Sequence, residues 1–111
     1  MTTILLIEDE EPIRRVLVRI LSEENESYII TEAKDGKEGF DFLSNNLYDL
    51  VLCDIKMPKM DGIEVLLKSN QKKINIPFIM LTGHGNVETA VEAMKLGAYD
   101  FISKPPDLNR L

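Results

Sequence analysis

The chain has a single cysteine, a single histidine and no long apolar run, and each scarcity removes a class of function. Cys53 alone cannot close an internal disulfide, and without a Cys/His cluster no spacing would hold zinc. That usage fits a reducing compartment and gives a cytoplasmic expectation. Cations are scarce too: 13 Lys and Arg stand against 19 Asp and Glu, for a formal net charge of -6. Because duplex affinity rests mostly on cations against phosphates, the balance argues against direct nucleic-acid contact through a broad basic face. The N-terminal apolar run, Ile4 to Ile7, is far shorter than a signal-peptide core and leads into acidic residues only, Glu8 to Glu11. No run reaches membrane-spanning length, so no membrane association is expected.

What is present suits one globular domain. At 111 residues, 44% hydrophobic and 29% charged, the chain can bury one core but not two. Short apolar runs alternate with helical patterns, as in repeated βα units of an α/β fold with a parallel sheet. Ile4 to Ile7 reads as a buried strand. Pro12 then suits a helix start, and Ile13, Val16, Leu17, Ile20 and Leu21 make one apolar stripe with Arg14, Arg15 and Arg19 off it. Tyr28 to Ala33 reads as a second strand, at an edge because of Thr31 and Glu32. Asp35-Gly36 breaks the chain before a short helix carrying Phe40 and Leu43. Leu50 to Cys53 forms an inner strand that stops at Asp54, and Met57-Pro58 and Asp61-Gly62 bracket the following loop, with Gly62 free to take unusual backbone angles.

A third helix carries Ile63, Leu66 and Leu67 and is expected to dissolve in the polar stretch Ser69 to Asn75. Phe78 to Leu81 is the fourth strand, ending on Thr82. Val87, Ala90, Val91 and Met94 are expected to form the buried face of the fourth helix, closed by Gly97. Tyr99 to Ser103 is the fifth strand, ending on Lys104 before Pro105. The residues after it could start a fifth helix but not finish one, which suggests an N-terminal piece of a longer protein.

The strand ends matter more than the strands. If the strands are parallel neighbours, Glu8 and Asp9, Asp54, Thr82 and Lys104 all reach the carboxyl edge, where open α/β sheets bind ligands. Three adjacent carboxylates repel, and their oxygens suit a hard cation such as Mg²⁺. An aspartate beside such an ion, with a hydroxyl and an ammonium near it, is equipped to attack phosphorus and become an aspartyl phosphate.

The ordered motifs LLIEDE, LVLCDIKMPKMDG, LTGHG and FISKP resemble the receiver domains of bacterial two-component response regulators over nearly the whole chain. The stretch GHGNVETAVEAMKLGAYDFISKP is most similar to receivers of nitrogen-regulator-type transcription activators. The resemblance implies a doubly wound, flavodoxin-like (βα)5 fold over residues 1–111, with strand order 2-1-3-4-5 and a truncated last helix. It further implies Asp54 as phosphoacceptor, Asp9 and Asp54 as direct Mg²⁺ ligands, Glu8 as a ligand through water, and the Lys56 carbonyl as another ligand. Thr82 would be the switch hydroxyl, Phe101 the switch aromatic in place of a common Tyr, and Lys104 the phosphate partner, aimed by a cis bond to Pro105. A sensor histidine kinase would donate the phosphoryl group, an effector domain would read the switch, and a homodimer could form through the β4-α4-β5 face. The chain would then be a phosphoacceptor and not an enzyme.

Plainer readings stand beside these. A lone strand-end carboxylate is usually a cap or a solvated charge, Thr82 alone a cap, and Lys104 alone a surface charge. His84 reads as a loop residue, Cys53 as core packing, and Met57, Met60, Met80 and Met94 as gap fillers. An aspartyl phosphatase would need a second Asp two residues past Asp54, where Lys56 stands. A receiver-like module without chemistry would lack the full residue set, and a flavin site would need a Ser/Thr-rich loop after the first strand.

Overall fold

The computed structural model describes residues 1–83 and 87–103. Five strands, β1 (Thr3–Ile7), β2 (Ile29–Ala33), β3 (Leu50–Asp54), β4 (Phe78–Thr82) and β5 (Asp100–Ser103), form one parallel sheet in the order β2-β1-β3-β4-β5. Between them run α1 (Glu11–Glu24), α2 (Gly36–Asn45), α3 (Gly62–Gln71) and α4 (Val87–Lys95). The expected α/β fold and strand order are therefore present, while the fifth helix falls outside the described residues.

Alternation along each inner strand divides the core in two. Leu5, Ile7, Val51, Cys53, Phe78 and Met80 pack on one face with Val65 and Leu66 of α3 and Ala93 of α4. Ile4, Leu6, Leu52 and Leu81 face the other way, against Leu17 of α1. Burial on both faces explains why β1 and β3 are unbroken apolar runs rather than alternating ones. Each fully buried Leu, Ile or Phe contributes about 1.5–3 kcal/mol by leaving water.

Several local expectations need correction. The expected break at Asp35-Gly36 takes the form of a helix cap: the Asp35 side chain accepts from the Glu38 N–H at 2.8 Å, and Gly36 is the first residue of α2. Helix α3 runs on through Ser69, which is fully buried, to Gln71. The buried face of α4 is Ala90 and Ala93, whereas Val87, Val91 and Met94 are exposed. Small side chains let α4 approach the sheet closely, and the larger ones are left outside. Gly97 does end α4 in a left-handed conformation at φ 107°.

Gly62 is required for a reason other than the one its turn position suggested. Its φ is not positive; instead, a Cβ there would lie 2.3 Å from the Asp54 carbonyl oxygen and 2.9 Å from the Ile55 Cα. The first turn of α3 thus presses directly on the end of β3. A Gly62→Ala variant should lose about 1–3 kcal/mol of stability by this overpacking, read by denaturant unfolding. Unchanged stability would contradict the close approach.

At the opposite edge of the sheet, Asp49 accepts from the Thr3 N–H at 2.8 Å and the Thr3 hydroxyl at 3.1 Å. The backbone hydrogen bond, then the side-chain one, hold its carboxyl below the usual aspartate range. With the native pKa below the unfolded one, this contribution is fully present above the unfolded pKa of about 3.9 and is lost as pH falls through the native value. Asp49→Asn should therefore flatten the acid limb of the stability profile, and an unchanged slope there would contradict the assignment.

Candidate functional site

Parallel pairing in register is what assembles the site. Ile7 pairs with Cys53, so the next residues, Glu8 and Asp54, emerge side by side, and Asp54 in turn pairs with Leu81 next to Thr82. Carboxylate oxygens of Glu8, Asp9 and Asp54 all lie within 4.8 Å of one another. Glu8 is fully buried and Asp54 is 3% exposed, while Asp9 is half-buried and opens the cluster to solvent. Thr82, 4% exposed, donates from its hydroxyl to the Ile102 carbonyl at 3.5 Å, a long hydrogen bond toward β5.

Backbone contacts hold the acidic pair in place. The Glu8 N–H extends the β1-β2 ladder by donating to the Ala33 carbonyl at 3.1 Å. The Glu8 carboxylate accepts from the Glu10 N–H at 3.0 Å, next to the start of α1, where the helix dipole favours negative charge. Arg14, only 15% exposed, donates from Nη1 to the Glu8 carbonyl at 2.9 Å and from Nε to Glu32 Oε1 at 3.1 Å. The sequence places it off the apolar stripe with Arg15 and Arg19 and assigns it no role at the site. The available signal was its place in the first turn of a helix that starts beside the acidic strand end.

The loop after Asp54 is held as firmly. The Ile55 N–H donates to the Leu81 carbonyl at 3.1 Å, and the Gly62 N–H donates to the Ile55 carbonyl at 2.7 Å. Asp61 caps α3 by accepting from the Glu64 N–H at 2.9 Å. Between them Lys59 sits at φ 69°, a left-handed conformation costing a lysine about 1–2 kcal/mol. Strain of this kind collects in functional loops where the surroundings over-determine the backbone.

Cys53 reports the local field. Burial first, and then the negative charges of Asp54, Glu8 and Asp61, push its thiol well above the usual range, so it stays neutral and serves as core packing. Charge gathered this densely, offering only oxygen donors with one side open, fits a hard divalent cation of the Mg²⁺ or Ca²⁺ type. Glu8, Asp9 and Asp54 are the residues that could hold it.

The other predicted residues divide in two groups. Lys56 lies two residues beyond Asp54 in the loop and is exposed, and Phe101 pairs with Met80 and is 37% exposed. Lys104, its bond to Pro105, and His84 lie outside the described residues. Among those described, no helix is long and apolar enough to cross a membrane.

Comparison with known proteins agrees with this geometry. The response regulator receiver domain family matches residues 4–111. The transcriptional regulatory protein FixJ of Rhizobium meliloti (strain 1021) is 39% identical over 103 residues, which cover 93% of this chain and 50% of FixJ. The transcriptional regulatory protein SrrA of Staphylococcus aureus (strain NCTC 8325 / PS 47) is 42% identical over 102 residues, covering 92% of this chain and 41% of SrrA. The chain thus spans half or less of the length of these curated relatives. Among solved structures, FixJ-N superposes with a TM-score of 0.86 at 38% identity, covering 95% of this chain and 82% of that one. The receiver domain of NtrX from Brucella abortus gives 0.85 at 36% identity, covering 96% and 89%. With its parallel sheet in the order 2-1-3-4-5 and its acidic residues gathered at one edge, the chain belongs to the response regulator receiver domains of two-component systems.

Proposed function

We propose that this receiver domain is a Mg²⁺-dependent phosphorylation switch in which Asp54 takes a phosphoryl group from the phosphohistidine of a sensor kinase. The observation that carries this reading is the convergence of Glu8, Asp9 and Asp54 within 4.8 Å. Asp9 and Asp54 would bind the ion directly, Glu8 through water, and Lys56 through its backbone carbonyl. When bound, Mg²⁺ offsets the charge of the carboxylates and of the transferring phosphoryl oxygens.

Transfer itself needs little from the protein beyond position and charge. A carboxylate oxygen of Asp54 attacks phosphorus, an O–P bond forms as the N–P bond breaks, and the histidine ring leaves with the bonding pair. Thr82 would turn its hydroxyl from the Ile102 carbonyl toward a phosphoryl oxygen, and Lys104 would pair with another. That movement of Thr82 would make room for Phe101 to repack, converting a local charge change into a new surface on β4, α4 and β5. The domain acts in this reading as a phosphoacceptor and not as an enzyme, since Lys56 stands where an aspartyl phosphatase would carry its general acid.

The surroundings suit that output. Val87, Val91 and Met94 on α4, with Phe101 and Ile102 on β5, leave apolar area exposed beside the switch residues, consistent with a face for an effector domain or for a second copy of the chain. Because FixJ and SrrA are transcriptional regulatory proteins, the proposed setting is a cytoplasmic transcription regulator whose DNA contacts lie in another domain.

Intact-mass measurement after incubation with acetyl phosphate and Mg²⁺ tests the chemistry. The chain should gain one phosphoryl group, and Asp54→Asn should gain none; no gain, or equal gain by the variant, would overturn the reading. Mg²⁺ at a hundredfold excess over its Kd should add about 2.7 kcal/mol of stability, raising the melting temperature. A melting temperature unmoved by Mg²⁺, Mn²⁺ or Ca²⁺ would point instead to a receiver-like module without chemistry.

A further inference from the structure

Arg14 is tied to the acidic edge by a hydrogen bond to the Glu8 carbonyl, and the phosphorylation reading leaves it without a role. Its guanidinium bridges two acceptors from different strands: the Glu8 carbonyl at the end of β1 (2.9 Å from Nη1) and Glu32 Oε1 on β2 (3.1 Å from Nε). At 15% side-chain exposure it is far more buried than Arg15 or Arg19 on the same helix, at 74% and 80%. A planar fork can hold two acceptors at a fixed mutual angle, which an ammonium cannot do.

What the fork holds is the peptide that carries the metal-binding pair. The carbonyl of Glu8 belongs to the peptide unit joining Glu8 to Asp9, at the point where the chain leaves the sheet and turns into α1. On its other side Glu8 is tied to β2 through its N–H to the Ala33 carbonyl at 3.1 Å. The tilt of that peptide plane sets the direction in which Asp9 leaves the backbone, and hence its distance from Asp54. A carbonyl released at this point would let the plane rotate and spread the cluster.

We infer that Arg14 is a positioning residue, locked by Glu32, that sets the Glu8–Asp9 peptide and through it the affinity of the site for a divalent cation. The inference rests on the Mg²⁺ site of the proposed function, and it makes a prediction of opposite sign to simple electrostatics. By charge alone, removing a cation beside an acidic cluster strengthens cation binding. By positioning, removing it weakens binding, because groups that orient metal ligands typically carry about 10–100-fold in affinity.

Calorimetric titration of the whole chain with Mg²⁺, with thermal unfolding followed in parallel, separates the two. Arg14→Met should unfold cooperatively and bind Mg²⁺ about tenfold more weakly. Arg14→Lys keeps the charge but loses the fork and should also bind more weakly, and it serves as the test if Arg14→Met fails to fold. Glu32→Gln, which retains an acceptor without its charge, should show the smallest loss of the three. Unchanged or tighter binding by folded Arg14→Met, or wild-type binding by Arg14→Lys, would overturn the inference while leaving the phosphoacceptor reading intact. A wild-type chain that binds no Mg²⁺ would overturn both.

Discussion

Carboxylates of Glu8, Asp9 and Asp54 stand within 4.8 Å of one another, and that mutual repulsion is the constraint on which the rest of the structure turns. Like charges so close favour either a bound cation or separation. Separation is blocked, because Glu8 and Asp54 extend neighbouring strands whose pairing is fixed by Ile7 against Cys53 and by the apolar side chains on both faces. The core, in effect, holds the acidic edge together against its own field.

Each layer around the edge serves that end. Helix α1 begins where the acidic pair ends, so the Glu10 N–H and the helix dipole meet the Glu8 carboxylate. Helix α3 presses its first turn against the Asp54 carbonyl, closely enough that only glycine fits at position 62. On the other flank the Thr82 hydroxyl reaches β5 through a hydrogen bond of 3.5 Å, a long and weak tether. The firm contacts thus lie on the β1 and β3 side, and the loose one faces α4 and β5, where apolar side chains are exposed.

Much of this was legible in the residues. The runs ending at Glu8, Asp54 and Thr82 marked strands and their carboxyl ends, and the order of the motifs pointed to the family. Less legible were features that depend on what packs against an element. Val87, Val91 and Met94 are the larger apolar residues of α4, yet Ala90 and Ala93 face the sheet, because close approach of helix to sheet favours small side chains. The polar run after Leu67 hid the extension of α3, since a buried Ser69 looks like any serine in a sequence. Arg14 was obscured by periodicity: off the apolar stripe, it had no mark to distinguish a buried fork from a solvated charge. Gly62 reads in the sequence as a turn residue free to take unusual backbone angles, whereas what requires glycine there is a neighbouring carbonyl and not a backbone angle.

The central claim, that side chains distant along the chain form one cation site, is tested most directly by diffraction from crystals soaked in Mn²⁺, a hard divalent ion with similar ligand preferences and a usable anomalous signal. The account predicts a single strong anomalous peak at the carboxyl edge, in coordination contact with oxygens of both Asp9 and Asp54. An empty edge in crystals whose ion peaks lie on other surfaces would contradict it.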